Sequence, residues 1–88
     1  MMKIKQALVF VRKLEKLCKR DAVIRKKVGT KLKLFLINQN HPSLRLHKIT
    51  ASRDEAWSLS VDMRLRIVFI YMEYGILLLD IGSHDEVY

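Results

Sequence analysis

The chain has 88 residues, with 17 Lys and Arg against 9 Asp and Glu, a formal net charge of +8. That length holds one domain with a thin core, burying about 60–65% of its extended surface. Half of the residues are apolar, which excludes intrinsic disorder despite the charge, and a single Cys excludes a disulfide framework or a Cys-rich zinc site.

Residues 2–4 (Met-Lys-Ile) are expected to form a short edge strand. From about Lys5 to Lys19 the apolar positions Ala7, Leu8, Val11, Leu14, Leu17 and Cys18 recur at spacings of three and four, the period of a helix. Arg12, Lys13, Lys16, Lys19 and Arg20 take its other face. Asp21 is an N-cap residue type and opens a second helix, with Ile24, Val28, Leu32, Phe35 and Leu36 on one stripe. Arg25, Lys26, Lys27, Lys31 and Lys33 decorate that helix. Gly29 lowers its helicity by about 1 kcal/mol relative to Ala and is expected to mark close helix packing. The run Asn38-Gln39-Asn40-His41-Pro42 ends it, because proline disfavours helix at the residue before it. Two adjacent amphipathic helices with a short link form an antiparallel hairpin.

The period then changes. Leu46–Ile49 is a short strand, and the polar segment 51–55 a turn. Trp57, Leu59 and Val61 alternate with Ser58, Ser60 and Asp62, as in a half-buried strand. Asp62-Met63-Arg64 is a turn. Leu65–Met72 is β-branched and aromatic on both faces, as in a central strand. Tyr74-Gly75 turns the chain into a last strand, Ile76–Ile81, ending at Gly82. Short loops between successive strands favour an antiparallel meander of three or four strands, with the helices covering one face. The expected class is α+β, a single domain over 1–88.

Charge is divided unevenly along this order. Residues 1–40 hold 12 Lys/Arg and 2 Asp/Glu, a net of +10, and residues 41–88 hold 5 and 7, a net of −2. Such a concentration of cations is best explained by an anionic partner. The segment MMKIKQ is too short in apolar residues for a signal peptide, and no run approaches the roughly 18 apolar residues of a membrane span. The expected setting is the cytoplasm, without a membrane partner.

No Gly-rich phosphate loop, paired helical His or Cys-His cluster is present. His84, Asp85 and Glu86 are potential metal donors, but nothing else converges on them by spacing, so neither metal nor cofactor is expected. Cys18, on the apolar face of the first helix, reads as a small buried hydrophobe. The informative residues are cations and proton carriers in the balanced half. Arg45, His47 and Lys48 surround its first strand, Arg53 follows in the loop, Arg64 and Arg66 open the central strand, and His84 and Tyr88 lie in the tail. An Arg entering an apolar strand needs a partner or a function. Pairing of Arg66 with Asp62 or Glu86 is the structural alternative, and surface pairs of that kind contribute little.

Five segments occur together in order: His41-Pro42-Ser43-Leu44-Arg45, His47-Lys48-Ile49, Trp57-Ser58-Leu59-Ser60-Val61, Leu65-Arg66-Ile67-Val68-Phe69, and the closing Leu78-Leu79-Asp80-Ile81-Gly82-Ser83-His84-Asp85-Glu86-Val87-Tyr88. Together they resemble the RelE/ParE toxin superfamily, and most closely the RelE/StbE-type toxins of type II toxin–antitoxin systems. The helical half matches mainly in pattern. The resemblance implies a RelE-like fold, a helical hairpin packed on one face of a small twisted antiparallel sheet. It implies a metal-independent endoribonuclease that cuts mRNA on the ribosome and so inhibits translation. Alternatively, it implies a ParE-like inhibitor of DNA gyrase, or a catalytically degenerate toxin acting only as a binding module. By position, Arg66 matches the family's transition-state cation, and His84 and Tyr88 its C-terminal acid–base and orienting pair. His47 stands where several relatives carry a catalytic Glu or His. Arg45, Lys48, Arg53 and Arg64 become RNA phosphate contacts. A histidine suits proton transfer near neutral pH. The expected partners are the ribosome with its mRNA and an acidic antitoxin in a hetero-oligomer. The chain departs from the family pattern at Thr50 and Ala51, where a Gly is usual, and at Leu65, where an aromatic residue or His is common.

Overall fold

The three- and four-residue spacing of apolar side chains in the first half produces two helices, and the alternating second half folds as their sheet. The computed structural model describes residues 2–49 and 55–83, together with 87. In chain order the elements are β1 (Lys3–Gln6), α1 (Leu8–Arg20), α2 (Val23–Ile37), a 3-10 turn (Pro42–Leu44), β2 (His47–Lys48), β3 (Trp57–Ser60), β4 (Leu65–Met72) and β5 (Gly75–Ser83). The sheet has five strands in the order β1-β5-β4-β3-β2. Strands β2 to β5 are antiparallel neighbours, as their short connections require. The sheet is nevertheless mixed: β1 lies parallel to β5 at the edge, reached only through the whole length of the chain. Gly75 permits that junction, because a Cβ there would collide with the Lys3 backbone.

Both helices cover one face. Phe10 and Leu14 of α1 and Ile24, Val28 and Phe35 of α2 form a single core with Leu59, Ile67, Phe69, Ile76, Leu78 and Ile81 of the sheet. Phe35 and Phe69 are fully buried and meet edge to face, with centroids 5.4 Å apart, a geometry that adds about 0.5–1.5 kcal/mol beyond burial. In β5 the register shifts opposite the Val68/Phe69 step. The bulge resets the alternation, so that Ile76, Leu78 and Ile81 all enter the core although they are not evenly spaced.

The structure corrects several local expectations. Helix α1 begins at Leu8, three residues later than its periodicity suggested, and its buried stripe runs through Phe10 and Leu14, while Leu8 is 61% exposed. The formal N-cap of α2 is Ala22, yet the Asp21 carboxylate still accepts the Val23 N–H at 3.1 Å, one step early. Nothing packs within 4 Å of the space over Gly29, so that glycine serves no close contact. Ser58 and Ser60 are buried, so both faces of β3 are covered. The segment 50–54, expected as a turn, lies outside the described residues. Among the described residues no helix is long and apolar enough to cross a membrane.

Candidate active site

On the face away from the helices, strand register gathers the polar residues of three strands. His47 stands opposite Ser58, Ser60 opposite Arg66, and Arg66 opposite Gly82. Opposed residues of an antiparallel pair share a face, so His47, Ser58, Ser60 and Arg66 do. Among the described residues, a hydroxyl and a carbonyl fix the Arg66 guanidinium there. Its Nε donates to Ser58 Oγ at 2.7 Å and one Nη donates to the Arg45 carbonyl at 3.2 Å. Ser58 is fully buried, and this bond satisfies a hydroxyl that water cannot reach.

The Arg45 carbonyl is held in place by the segment before it. Leu44 is anchored in the core, His41 Nδ1 accepts the Ser43 N–H at 3.2 Å, and Lys31 Nζ donates to the Ser43 carbonyl at 3.0 Å. Arg45 itself takes the left-handed conformation, with φ 44°. For a residue other than Gly this costs on the order of 1 kcal/mol, so the backbone is held there by its surroundings.

His47 Nδ1 lies 3.2 Å from an Arg66 Nη and 3.3 Å from the Arg45 carbonyl. These contacts need opposite proton positions. With a lone pair on Nδ1 the imidazole accepts from Arg66, and with a proton there it donates to Arg45. The imidazole can thus change its proton while keeping one partner in either state. The Ser58 hydroxyl and the Arg45 carbonyl thus set where the guanidinium stands on this face.

The remaining expected residues divide. Arg45 belongs to the cluster, but through its backbone carbonyl. Lys48 stands opposite Trp57, on the other face of the sheet from His47, and its Nζ lies 4.0 Å from Glu55. Arg64 lies in the β3–β4 connection and lines a surface cleft with Ile24 and Lys27 of α2. The turn before it is organised by Asp62, whose carboxylate accepts the Arg64 and Leu65 N–H groups at 2.8 Å and meets Lys27 at 3.3 Å. Burial raises the Asp62 pKa, but the two backbone donors and the Lys27 ammonium outweigh it and leave the carboxyl below its ordinary value. Asp62 is therefore a turn-builder bound to Lys27. Arg53, His84 and Tyr88, with Thr50, Ala51 and Glu86, lie outside the described residues. Strand β5 ends at Ser83, opposite Leu65, one step beyond the Gly82–Arg66 pair. No group of three His, Cys, Asp or Glu suited to a metal occurs among the described residues.

Sequence reasoning missed Ser58 and the Arg45 carbonyl. The serine had one available signal: it alternates with core residues in β3 and shares the period of an Arg on the next strand. The carbonyl had none, since its position depends on a left-handed non-glycine residue.

No protein-family model matches the chain, and no curated protein matches it in sequence. Solved structures do. A toxin from Helicobacter pylori, solved in a metal-bound form, is 22% identical, with all of both chains covered and a TM-score of 0.78. YafQ from Escherichia coli is 13% identical, covering 100% of this chain and 99% of its own, also at 0.78. A YoeB/ParE toxin from Agrobacterium tumefaciens is 14% identical over 94% of this chain and 99% of its own, at 0.77. At such identities the likeness is one of fold, and the chain carries the fold of the RelE/ParE toxin superfamily, as its sequence resemblance implies.

Proposed function

We propose that this protein is the toxin of a type II toxin–antitoxin system, a single domain over 1–88 that cleaves ribosome-bound mRNA in the cytoplasm. The observation that carries the reading is the Arg66 guanidinium, held by Ser58 Oγ and the Arg45 carbonyl against the His47 imidazole. A hydroxyl and a carbonyl position this cation next to a group that can exchange a proton.

RNA supplies its own nucleophile. The 2′-hydroxyl attacks the adjacent phosphorus, an O2′–P bond forms and the P–O5′ bond breaks. The products are a 2′,3′-cyclic phosphate and a 5′-hydroxyl. Because the nucleophile is already tethered beside its target, no metal is needed to generate it. A base takes the 2′-proton and an acid returns one to the leaving O5′. In this reading Arg66 stabilises the charge that builds on the phosphorane, and His47, His84 and Tyr88 carry the protons and orient the phosphate. Arg53 holds a flanking phosphate, Arg45 acts through its carbonyl, and Lys48 and Arg64 stand away from this face. An acidic antitoxin silences the protein, a role supported by the complex of the fold relative YafQ with DinJ from Escherichia coli, 16% identical with a TM-score of 0.76.

The test is cleavage of an mRNA on purified ribosomes, mapped by primer extension. Wild type should cut, and Arg66→Ala should lose about 10²–10³-fold in rate, as expected for removing one preorganised transition-state donor. A folded Arg66→Ala that cuts as fast as wild type would overturn the assignment. So would DNA breaks with intact mRNA after induction in cells, which would indicate a gyrase-directed toxin.

A further inference from the structure

The 3-10 turn before β2 is capped by a histidine. His41 is exposed, and its Nδ1 accepts the Ser43 N–H at 3.2 Å, where a cap usually offers a side-chain oxygen. The Ser43 hydroxyl lies 2.9 Å from the same nitrogen. An Asn or Ser cap keeps its lone pairs at any ordinary pH. An imidazole does not: once protonated it has two N–H donors and no acceptor, whichever way the ring is turned. The hydroxyl can then rotate and accept, so the bond that is lost is the one to the Ser43 N–H. That bond closes the front of the turn, and the Arg45 N–H closes its back on the Pro42 carbonyl at 3.1 Å. Together they set the backbone of Arg45, whose φ of 44° is unfavourable by itself, and so the carbonyl that meets Arg66. Of the elements that meet the turn, α2 brings Lys31, whose Nζ donates to the Ser43 carbonyl at 3.0 Å, and β3 (Trp-Ser-Leu-Ser) brings no ionisable side chain. Arg45 is the charged residue that follows within the segment.

We propose that His41 is a positioning residue for Arg66, and that it acts only while its imidazole is neutral. Its effect on rate rests on the ribonuclease reading, whereas its coupling to Arg66 does not. A proton on His41 releases the Ser43 N–H, the Arg45 backbone relaxes from its left-handed conformation, and the carbonyl shared by Arg66 and His47 moves. Small displacements of this kind weaken catalysis without touching the reacting atoms.

The test compares His41→Asn, which keeps a cap acceptor that does not titrate, with His41→Ala, which removes it. Single-turnover cleavage of ribosome-bound mRNA is followed from about pH 5.5 to about pH 8, across the range in which imidazoles titrate. At the upper end the Asn variant should match wild type within about twofold, and the Ala variant should have a saturating rate about fivefold lower at an unchanged half-saturating concentration, the size of one lost cap. At the lower end the Asn variant should cut about fivefold faster than wild type. His47 and His84 titrate in both proteins, so the difference isolates His41. Superimposable pH profiles, or an Ala variant as fast as wild type, would overturn the proposal. The coupling is also read without cleavage, by proton–nitrogen NMR of the same proteins. In wild type the Ser43 amide and the Arg66 Nε–H should share a titration midpoint, and in His41→Asn both should lose it. An Arg66 resonance that titrates identically in the two proteins would overturn the coupling even in a protein that cleaves. A shared midpoint in a protein that does not cleave would uphold the coupling and remove the ribonuclease reading instead.

Discussion

The helical half of the chain carries a net of +10 and the sheet half −2, yet the candidate site lies in the sheet half. In the helices the cations are numerous, exposed and repeated. In the sheet a few polar groups are each held by named neighbours. A surface lysine acts through the field it adds to, so any one is replaceable. Arg66 acts through its position, set by a buried serine on β3 and by a carbonyl that precedes β2. The contrast teaches that net charge indicates the class of partner, whereas fixed geometry indicates where chemistry can occur.

The two halves share a core, and the largest effect comes from breaking it. Phe35→Ala, which removes the α2 side of the Phe35–Phe69 contact, should cost about 3–5 kcal/mol in urea denaturation and leave the protein barely folded. A loss under 1 kcal/mol would mean that the helices fold independently of the sheet. Next comes the guanidinium's support. Ser58→Ala should reduce cleavage by roughly tenfold to a hundredfold, since a hydrogen bond to a charged group contributes about 1.5–3 kcal/mol. Arg45→Gly separates carbonyl from side chain at the same position. If the carbonyl matters, as its bond to Arg66 suggests, this variant should keep activity within about threefold and gain a few tenths of a kcal/mol in stability from the relieved φ of 44°. A collapse in rate would show that the Arg45 side chain acts on substrate.

A smaller effect is expected at the exposed Lys27–Asp62 pair, which also joins the halves. Asp62 has its folded pKa below the ordinary 3.8, so its contribution is fully present above that value and is lost as pH falls through the lower, folded one. Melting between pH 5 and pH 2 should show this loss in wild type and a shallower fall in Asp62→Asn, which keeps an acceptor for Arg64 and Leu65 but cannot titrate. Identical slopes would remove Asp62 from the account.

The sequence made β4 and β5 legible because β-branched and aromatic residues crowd between clear turn residues. It made the second helix legible because its stripe of Ile24, Val28 and Phe35 is regular. Phe10 escaped because its neighbours Leu8, Val9 and Val11 are equally apolar, and only packing chose among them. The edge strand near the start was legible, but its parallel pairing with β5 escaped because pairing between the two ends of a chain leaves no local signature. At the site, Arg66 stood out as a charge in an apolar strand. What the sequence could not order was the space around it. Lys48 adjoins His47 in the chain yet belongs to the opposite face, and Arg64 is drawn toward α2.

The central claim is that fixed geometry in the sheet half performs the chemistry, whereas the helical cations act through their summed field. Single-turnover cleavage of ribosome-bound mRNA, measured against toxin concentration, tests it most directly. Arg66→Ala should lower the saturating rate about a hundredfold or more, and Arg25→Ala/Lys26→Ala, which removes two exposed helix cations, should leave the saturating rate within about twofold. A saturating rate that falls as far for the helix pair as for Arg66→Ala would contradict the division.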